Sequence, residues 1–204
     1  MNGLPASIES RLSVLPDGLR SHIERARAVG RDLAARHRVD ARAVDTGVAA
    51  HDLARALDDE QLLCEADLRG IDITPLERGA PILLHGAIAA DWLSHGRDVI
   101  DARVLDAVRW HTIGHPGMDD VAKVVFLADK LDPQKVEVYP YLVKVETLAS
   151  RDMDDAILEY VNREIEHLVS NGLLIHPATI DLRNELLMRL ARVESPRIDD
   201  PNEP

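Results

Sequence analysis

The chain has 204 residues, which is enough for one domain with a substantial core, and nothing in this length requires a second domain. Its formal net charge of -12 excludes a general nucleic-acid or anionic-membrane surface, because both surfaces need a basic patch. Aromatic residues make up only 3% of the sequence, which favours packed helices over a β-rich fold. Because the chain is acidic overall, a phosphate ligand would need local positive charge from a metal, Arg or Lys.

Cysteine usage and hydropathy indicate the compartment. Cys64 is the only cysteine, which excludes an intramolecular disulfide and a thiolate zinc cluster and favours a reducing environment. The N-terminus lacks a basic region followed by an apolar core, and no apolar run reaches membrane-spanning length. We therefore expect a cytoplasmic protein that binds neither nucleic acid nor membrane.

Helical periodicity alternates with turn signals along the first half of the chain. Residues 1–16 are predicted to form a short, amphipathic helical extension. Further helices are predicted over residues 19–36, from Asp40 through His51, over residues 58–70 and from Pro81 to Gly96, with a loop over residues 71–80. Asp40 and Asp58 are the predicted N-caps, because an aspartate accepts hydrogen bonds from the first free amides of a helix.

The second half continues the helical pattern. Helices are predicted from Asp101 to His111, from about Asp119 through Asp129, and over residues 140–150, 152–172 and 177–193, with breaks at residues 114–117 and at Pro133. Residues 194–204 are polar and acidic and are predicted to be a disordered tail. Without an alternating strand pattern, the sequence predicts an all-α fold, a compact helical bundle over residues 17–193 with additional C-terminal helices.

Several histidines and aspartates fall on or beside the inward stripes of separate predicted helices. They are His22, His51, Asp52, His85, His111 and Asp129. Each of these residues alone is weak evidence for a metal site, because a histidine on an apolar helical face is more often a hydrogen-bonded core residue than a ligand. Together, these buried polar groups would need as many separate partners, whereas a pair of divalent cations satisfies all of them. The pattern therefore favours a dinuclear metal centre.

Two sequence strings carry a resemblance to a known family. Residues 107–118 (AVRWHTIGHPGM) and residues 124–133 (VVFLADKLDP) are similar to the YqeK family, the HD-domain symmetrical diadenosine tetraphosphate hydrolases of bacteria. Residues 51–55 and 84–86 fit the same pattern in the same order, and the resemblance covers roughly residues 19–190. It implies an α-helical HD domain with two divalent metal ions, iron being expected and manganese, zinc or magnesium being the alternatives.

The resemblance also implies a ligand set and a reaction. By this resemblance, His22, His51, Asp52 and Asp129 would hold one metal, while Asp52, His85 and His111 would hold the other, with Asp52 bridging. A hydroxide activated at this centre would cleave diadenosine tetraphosphate symmetrically into two ADP. The implied ligand is thus a small dinucleoside polyphosphate or another nucleotide.

Asp52 and Arg55 are the predicted catalytic residues, with Arg55 as the nearest cation. The predicted substrate contacts are Arg55, Thr112, His115, Lys130 and Lys135. The chain departs from the family at Arg55, where Lys is usual, at Lys135, where Arg is usual, and at Asp132, where Glu is frequent. The first two changes keep the charge but alter the donor geometry, and Lys130 is equally well explained as a solvated residue at a helix C-terminus.

Other functions stay open on the sequence alone. A different HD-type nucleotide phosphohydrolase or phosphodiesterase would share the metal ligands and differ only in its pocket. A non-catalytic metal-binding module would be indicated by a missing ligand, and none is missing. The base preference is also open, because the sequence has few aromatic residues. Trp110 and Tyr139 are the nearest to the motif, and each is equally well explained as a core residue. The periodic C-terminal helices suit a homodimer as well as a core.

Overall fold

The computed structural model describes residues 3–96, 99 and 101–194, with side chains to residue 191. All regular secondary structure in this part of the chain is helical, which confirms the predicted all-α class. The helices are α1 (Ala6–Leu12), α2 (Asp17–His37), α3 (Ala41–Ala50), α4 (Asp59–Leu68), α5 (Pro75–Gly79), α6 (His85–Gly96), α7 (Ala102–Trp110), α8 (Asp120–Lys130), α9 (Pro133–Val138), α10 (Leu142–Ala149), α11 (Met153–Ser170) and α12 (Pro177–Glu194). A 3₁₀ turn, Pro81–Leu84, leads into α6.

Aspartate caps fix where several helices begin. Asp40 accepts hydrogen bonds from the amides of the first turn of α3, as predicted. Asp58 forms a capping box with Gln61 at the start of α4, which confirms the second predicted cap. Asp101 and Asp119 cap α7 and α8 in the same way. Each such cap is worth about 1 kcal/mol, so these helix starts are defined locally by the sequence.

Two short helices, α5 and α9, were not predicted. Residues 71–80 are not all loop, because Thr74 and Glu77 form a capping box and Pro75 occupies the first turn of the short helix α5. The predicted break at Pro133 is confirmed, because α8 ends at Lys130. Pro133 also opens α9, a helix that was not predicted and that Asp132 caps by accepting a hydrogen bond from the amide of Gln134. In both places a proline is accepted at the first helical position, where its missing N–H costs nothing.

The apolar run that ends at Asp129 lies at the centre of the fold. Helix α8 carries this run and packs against α2, α3, α7 and α11, and every residue of the helix after Lys123 is buried. Small residues permit the close packing around it. A Cβ atom at Gly47 would come within 2.8 Å of the Val125 side chain, and one at Gly30 within 3.1 Å of the Val48 side chain. The chain therefore places Asp129 in a tightly packed interior.

Both ends of the described chain contribute to the same core. Ile8 of α1 is fully buried, and the Arg11 guanidinium lies 3.8 Å from the ring centroid of Trp92 in α6. Leu182 and Leu186 of α12 are also buried. The predicted disordered tail lies outside the described residues, except for the last residue of α12. Among the described helices, none is both long and apolar enough to cross a membrane.

The start of α6 lies directly against the end of α7. A Cβ atom at Gly86 would lie 2.6 Å from the main-chain oxygen of Arg109 and 2.8 Å from that of Val108. Only glycine permits this approach, because both neighbouring atoms belong to the backbone and cannot rotate away. The contact places His85, which precedes Gly86, beside His111, which follows α7.

We expect the substitution Gly86→Ala to destabilise the protein by about 2 kcal/mol, because the added methyl group overpacks a backbone contact. Urea unfolding at fixed metal content measures this change as a lower midpoint. Gly18→Ala is the matched control, since no atom lies within 4 Å of a Cβ at that position in α2. Equal midpoints for the two variants would contradict the close approach.

Candidate metal centre

The fold brings all six predicted ligand residues together. His22 comes from the second turn of α2, Asp129 from the last turn of α8, and the other four from residues at or just beyond helix ends. His51 and Asp52 follow α3, His85 begins α6, and His111 follows α7. Five of the six residues are buried, and the side chain of His22 is 12% exposed.

One carboxylate oxygen of Asp52 faces a first group of donor atoms. Asp52 Oδ2 lies 3.7 Å from His22 Nε2 and 3.4 Å from His51 Nε2. Asp129 Oδ1 lies 3.2 Å and 3.7 Å from the same two nitrogens, which are 3.3 Å apart. These four atoms therefore form one compact set.

The other oxygen of Asp52 faces a second group. Asp52 Oδ1 lies 3.2 Å from His85 Nε2 and 3.5 Å from His111 Nε2, and these two nitrogens are 3.0 Å apart. The His51 ring lies between the groups, with its centroid 5.4 Å from that of His22 and 4.8 Å from that of His111. Asp52 is thus placed to serve both groups at once.

The opposite nitrogen of each imidazole is already engaged. Nδ1 of His51 lies 2.7 Å from the Val48 carbonyl oxygen, and Nδ1 of His111 lies 2.8 Å from that of Val108. His85 makes the same bond to Ile82, and His22 Nδ1 lies 2.7 Å from Asp132 Oδ2. A carbonyl oxygen only accepts, so each of the three Nδ1 atoms bonded to one donates its proton. The Nε2 lone pairs then point into the cluster.

The cluster consequently places hydrogen-bond acceptors, the Nε2 lone pairs and the carboxylate oxygens, opposite one another. Burial lowers the pKa of His51, but the carboxylates of Asp52 and Asp129 outweigh burial and raise this pKa to about 10. Burial dominates at His111 and lowers its pKa to about 4. Burial raises the pKa of Asp129, but Lys130 and the nearby imidazoles outweigh burial and hold this pKa well below its usual value. The site therefore attracts positive charge.

The donor set and its spacing fit divalent metal ions. Donors held about 2.0–2.2 Å from one cation lie about 3.0–3.5 Å from each other, which matches most of the separations in both groups. Two overlapping sets among the described residues could each hold an ion: His22, His51 and Asp129, and His51, Asp52 and His111. Imidazole and carboxylate together suit iron, manganese or zinc.

Two lysines, rather than Arg55, contact the cluster. Lys130 Nζ donates to Asp129 Oδ2 at 2.7 Å, and Lys135 Nζ donates to Asp129 Oδ1 at 2.6 Å. Lys130 is buried, which contradicts the solvated alternative considered for it. Arg55 is exposed on the turn after α3, and its side chain makes no hydrogen bond or ion pair within the described part of the chain.

The two predicted substrate contacts in the loop after His111, Thr112 and His115, lie in different surroundings. The Thr112 hydroxyl lies 3.2 Å from His85 Nε2 and 3.1 Å from His111 Nε2, at the edge of the second group. His115 instead pairs with Asp106, with Nε2 2.8 Å from Oδ2, and its ring centroid lies 5.2 Å from that of Trp110. Thr112 therefore belongs to the cluster, and no described contact joins His115 to it.

A family model described as the HD domain matches residues 19–134, which is more than half of the chain and includes all six residues of the cluster. The chain belongs to the HD domain family.

Curated relatives place the chain within the family. The symmetrical bis(5'-nucleosyl)-tetraphosphatase of Halalkalibacterium halodurans is 31% identical over 159 residues, which cover 77% of this chain and 82% of the relative. The protein of the same name from Bacillus subtilis is 26% identical over 156 residues, covering 76% and 82%. These relatives confirm the YqeK-type resemblance.

A solved structure shows the fold. A crystal structure from Clostridium acetobutylicum, described as a "predicted HD superfamily hydrolase involved in NAD metabolism", has a TM-score of 0.85 to this chain at 22% identity. The match covers 92% of this chain and all of that one. The helical architecture of this HD-domain chain, including its C-terminal helices, is therefore shared with a known structure.

Sequence reasoning gave no role to two residues that support this HD-domain cluster, Asp132 and Arg25. Asp132 binds His22 through Oδ2 and accepts two hydrogen bonds from the Arg25 guanidinium, at 2.7 Å and 2.8 Å. Burial raises the pKa of Asp132, but the bonds to Arg25 and His22 outweigh it and lower the pKa to about 2. Arg25 follows His22 by three residues, so its place on the same helical face was the available signal.

We expect Asp132→Asn to weaken metal binding by about 10- to 100-fold, because a neutral amide orients His22 less firmly than a carboxylate does. Asparagine also caps helices well, so α9 should persist. Titration of Mn²⁺ into the metal-free protein, followed by calorimetry, measures the change. Asp32→Asn removes one charge from an exposed pair with Arg36 and serves as the control. If both variants bind Mn²⁺ as the wild type does, Asp132 has no role in orienting the ligand.

Proposed function

We propose that this HD-domain chain hydrolyses diadenosine tetraphosphate symmetrically and releases two ADP. The observation that carries the proposal is the position of Asp52, whose two oxygens face two separate groups of imidazole nitrogens. The names of the curated relatives supply the substrate class. The single cysteine supports the further proposal that the enzyme works in the cytoplasm.

The proposed centre holds two divalent ions, iron first, with manganese, zinc or magnesium as the alternatives. His22, His51, Asp52 and Asp129 would hold one ion, and Asp52, His85 and His111 the other. When bound, such ions activate water as a nucleophile and neutralise charge on phosphoryl oxygens. The Nδ1 hydrogen bonds keep the imidazole rings oriented for this task before any ligand arrives.

The surrounding side chains are proposed to bind the phosphates. Lys130 and Lys135 stand at the edge of the cluster, and their ammonium groups are already within 2.7 Å of one of its carboxylates. The exposed Arg55 has no competing partner among the described residues and is free to pair with a phosphate. The Thr112 hydroxyl is within hydrogen-bonding reach of the imidazole nitrogens and is placed to orient a polar group there.

His115 is proposed only as a peripheral contact. Its Nε2 is paired with Asp106, so its Nδ1 is the nitrogen left for a phosphate oxygen. The ring lies beside Trp110 on the loop that carries Thr112. Its contribution to binding would therefore be smaller than that of the lysines, whose ammonium groups contact the cluster itself.

Product chromatography tests the reaction directly. With Mn²⁺ or Fe²⁺ bound, we expect diadenosine tetraphosphate to yield ADP as the only nucleotide product. AMP and ATP in equal amounts would show asymmetrical attack and contradict the proposal. A protein that holds stoichiometric metal but leaves diadenosine tetraphosphate and a panel of nucleotides intact would instead be a non-catalytic metal-binding module.

We expect Asp52→Ala to lower the metal content at both positions and to abolish turnover, since each group loses one oxygen of the carboxylate that serves both. Metal analysis by mass spectrometry and the ADP assay measure the two effects on one preparation. Asp32→Ala, which breaks only an exposed pair with Arg36, should keep full metal content and activity. Wild-type turnover by the Asp52 variant would refute its bridging role.

A further inference from the structure

A cavity of about 360 Å³ opens beside the metal centre. The sequence contains three tyrosines, and all three, Tyr139, Tyr141 and Tyr160, line this cavity together with Lys130 and Lys135. Its volume is within the range of small-molecule sites. In a chain with few aromatic residues, this concentration of rings at one place calls for an explanation beyond core packing.

The lysines connect the cavity to the cluster. Lys130 and Lys135 line the cavity, and both ammonium groups donate to the carboxylate of Asp129. Asp129 Oδ1 is in turn 3.2 Å from His22 Nε2. A ligand that lies against these two lysines therefore has one end at the proposed metal ligands.

The tyrosines differ in how accessible their rings are. Tyr160 packs edge-on against Phe126, with ring centroids 5.5 Å apart, and forms a wall of the cavity. Tyr139 is 52% exposed, although it is a large aromatic residue directly after α9. Its ring centroid is 6.2 Å from that of Tyr141, and the two planes are inclined by 52°. The Tyr139 ring is thus available for stacking from the cavity side or from solvent.

We propose that this cavity is the subsite for one nucleoside diphosphate half of the substrate, with the base on Tyr139 and the phosphates on Lys130 and Lys135. Aromatic stacking accepts any base, so the subsite should bind nucleoside diphosphates in general and not only those of adenine. The inference rests on the proposed function and deepens it. It also gives Tyr139 a role that the metal centre does not require.

The test compares ADP with inorganic pyrophosphate, which carries the phosphates without a base. Calorimetry on the Mn²⁺-loaded protein should show that Tyr139→Ala weakens ADP binding by about 10-fold, within the 5- to 150-fold that loss of one stacked base costs. Pyrophosphate binding should stay within about twofold of the wild-type value. With diadenosine tetraphosphate, KM should rise while kcat is retained.

Two further variants keep the test specific. Tyr139→Phe retains the ring and should restore ADP binding to the wild-type value. Val138→Ala changes an exposed neighbour that does not line the cavity, and it should leave binding and turnover unchanged.

The outcomes separate the two proposals. If the wild type yields ADP and Tyr139→Ala binds ADP as tightly as the wild type, the subsite is wrong and the proposed function stands. If the wild type does not cleave diadenosine tetraphosphate, the proposed function fails, and ADP calorimetry still decides the subsite. Equal losses of ADP and pyrophosphate binding would also overturn the stacking role.

Discussion

Acceptor atoms that face one another in a buried cluster are the constraint on which this structure depends. The Nε2 lone pairs of the imidazoles meet the oxygens of Asp52 and Asp129, and an unsatisfied buried acceptor costs about 1–3 kcal/mol. Several such costs together are comparable with the roughly 5–15 kcal/mol of net stability of a domain. A site that costs this much without positive charge is stable only where protons or cations supply it. The raised pKa of His51 expresses the same demand.

Helix ends provide the geometry of this cluster. The last four carbonyl groups of an α-helix have no partner within the helix, and Val48 and Val108 lie within the last four residues of α3 and α7. A histidine three residues later takes the free carbonyl with Nδ1 and turns Nε2 outward. One bond therefore satisfies the helix end and fixes a ligand. His85 uses the same local bond at the start of α6, where Gly86 allows the approach to α7.

Local patterns explain which parts of this structure could be predicted. The long helices, the aspartate caps and the six-residue cluster follow from periodicity and from residue types, which the sequence displays directly. Helix α5 could also have been found, because Thr74 and Glu77 have the spacing of a capping box. The pairing of Arg25 with Asp132 joins residues 107 positions apart, and no local rule connects them. The position of Lys130 was equally hidden, since a lysine at the end of a helix is ordinarily solvated.

Charge balance explains how an acidic chain could bind the polyphosphate proposed as its substrate. The net charge of the chain is -12, and among the described Asp, Glu, Lys and Arg residues only Asp52, Asp129, Lys130 and Asp132 are buried. Salt screens the exposed charges beyond about 8 Å. Within the centre, the carboxylates of Asp52, Asp129 and Asp132 are matched by equally many cationic groups, on Arg25, Lys130 and Lys135. With the imidazoles neutral, as metal ligation requires, the side chains of the centre are close to electroneutral. Every divalent ion bound there would add two uncompensated positive charges to the centre. The local field of the centre, rather than the charge of the whole surface, would then determine the attraction of the proposed tetraphosphate substrate.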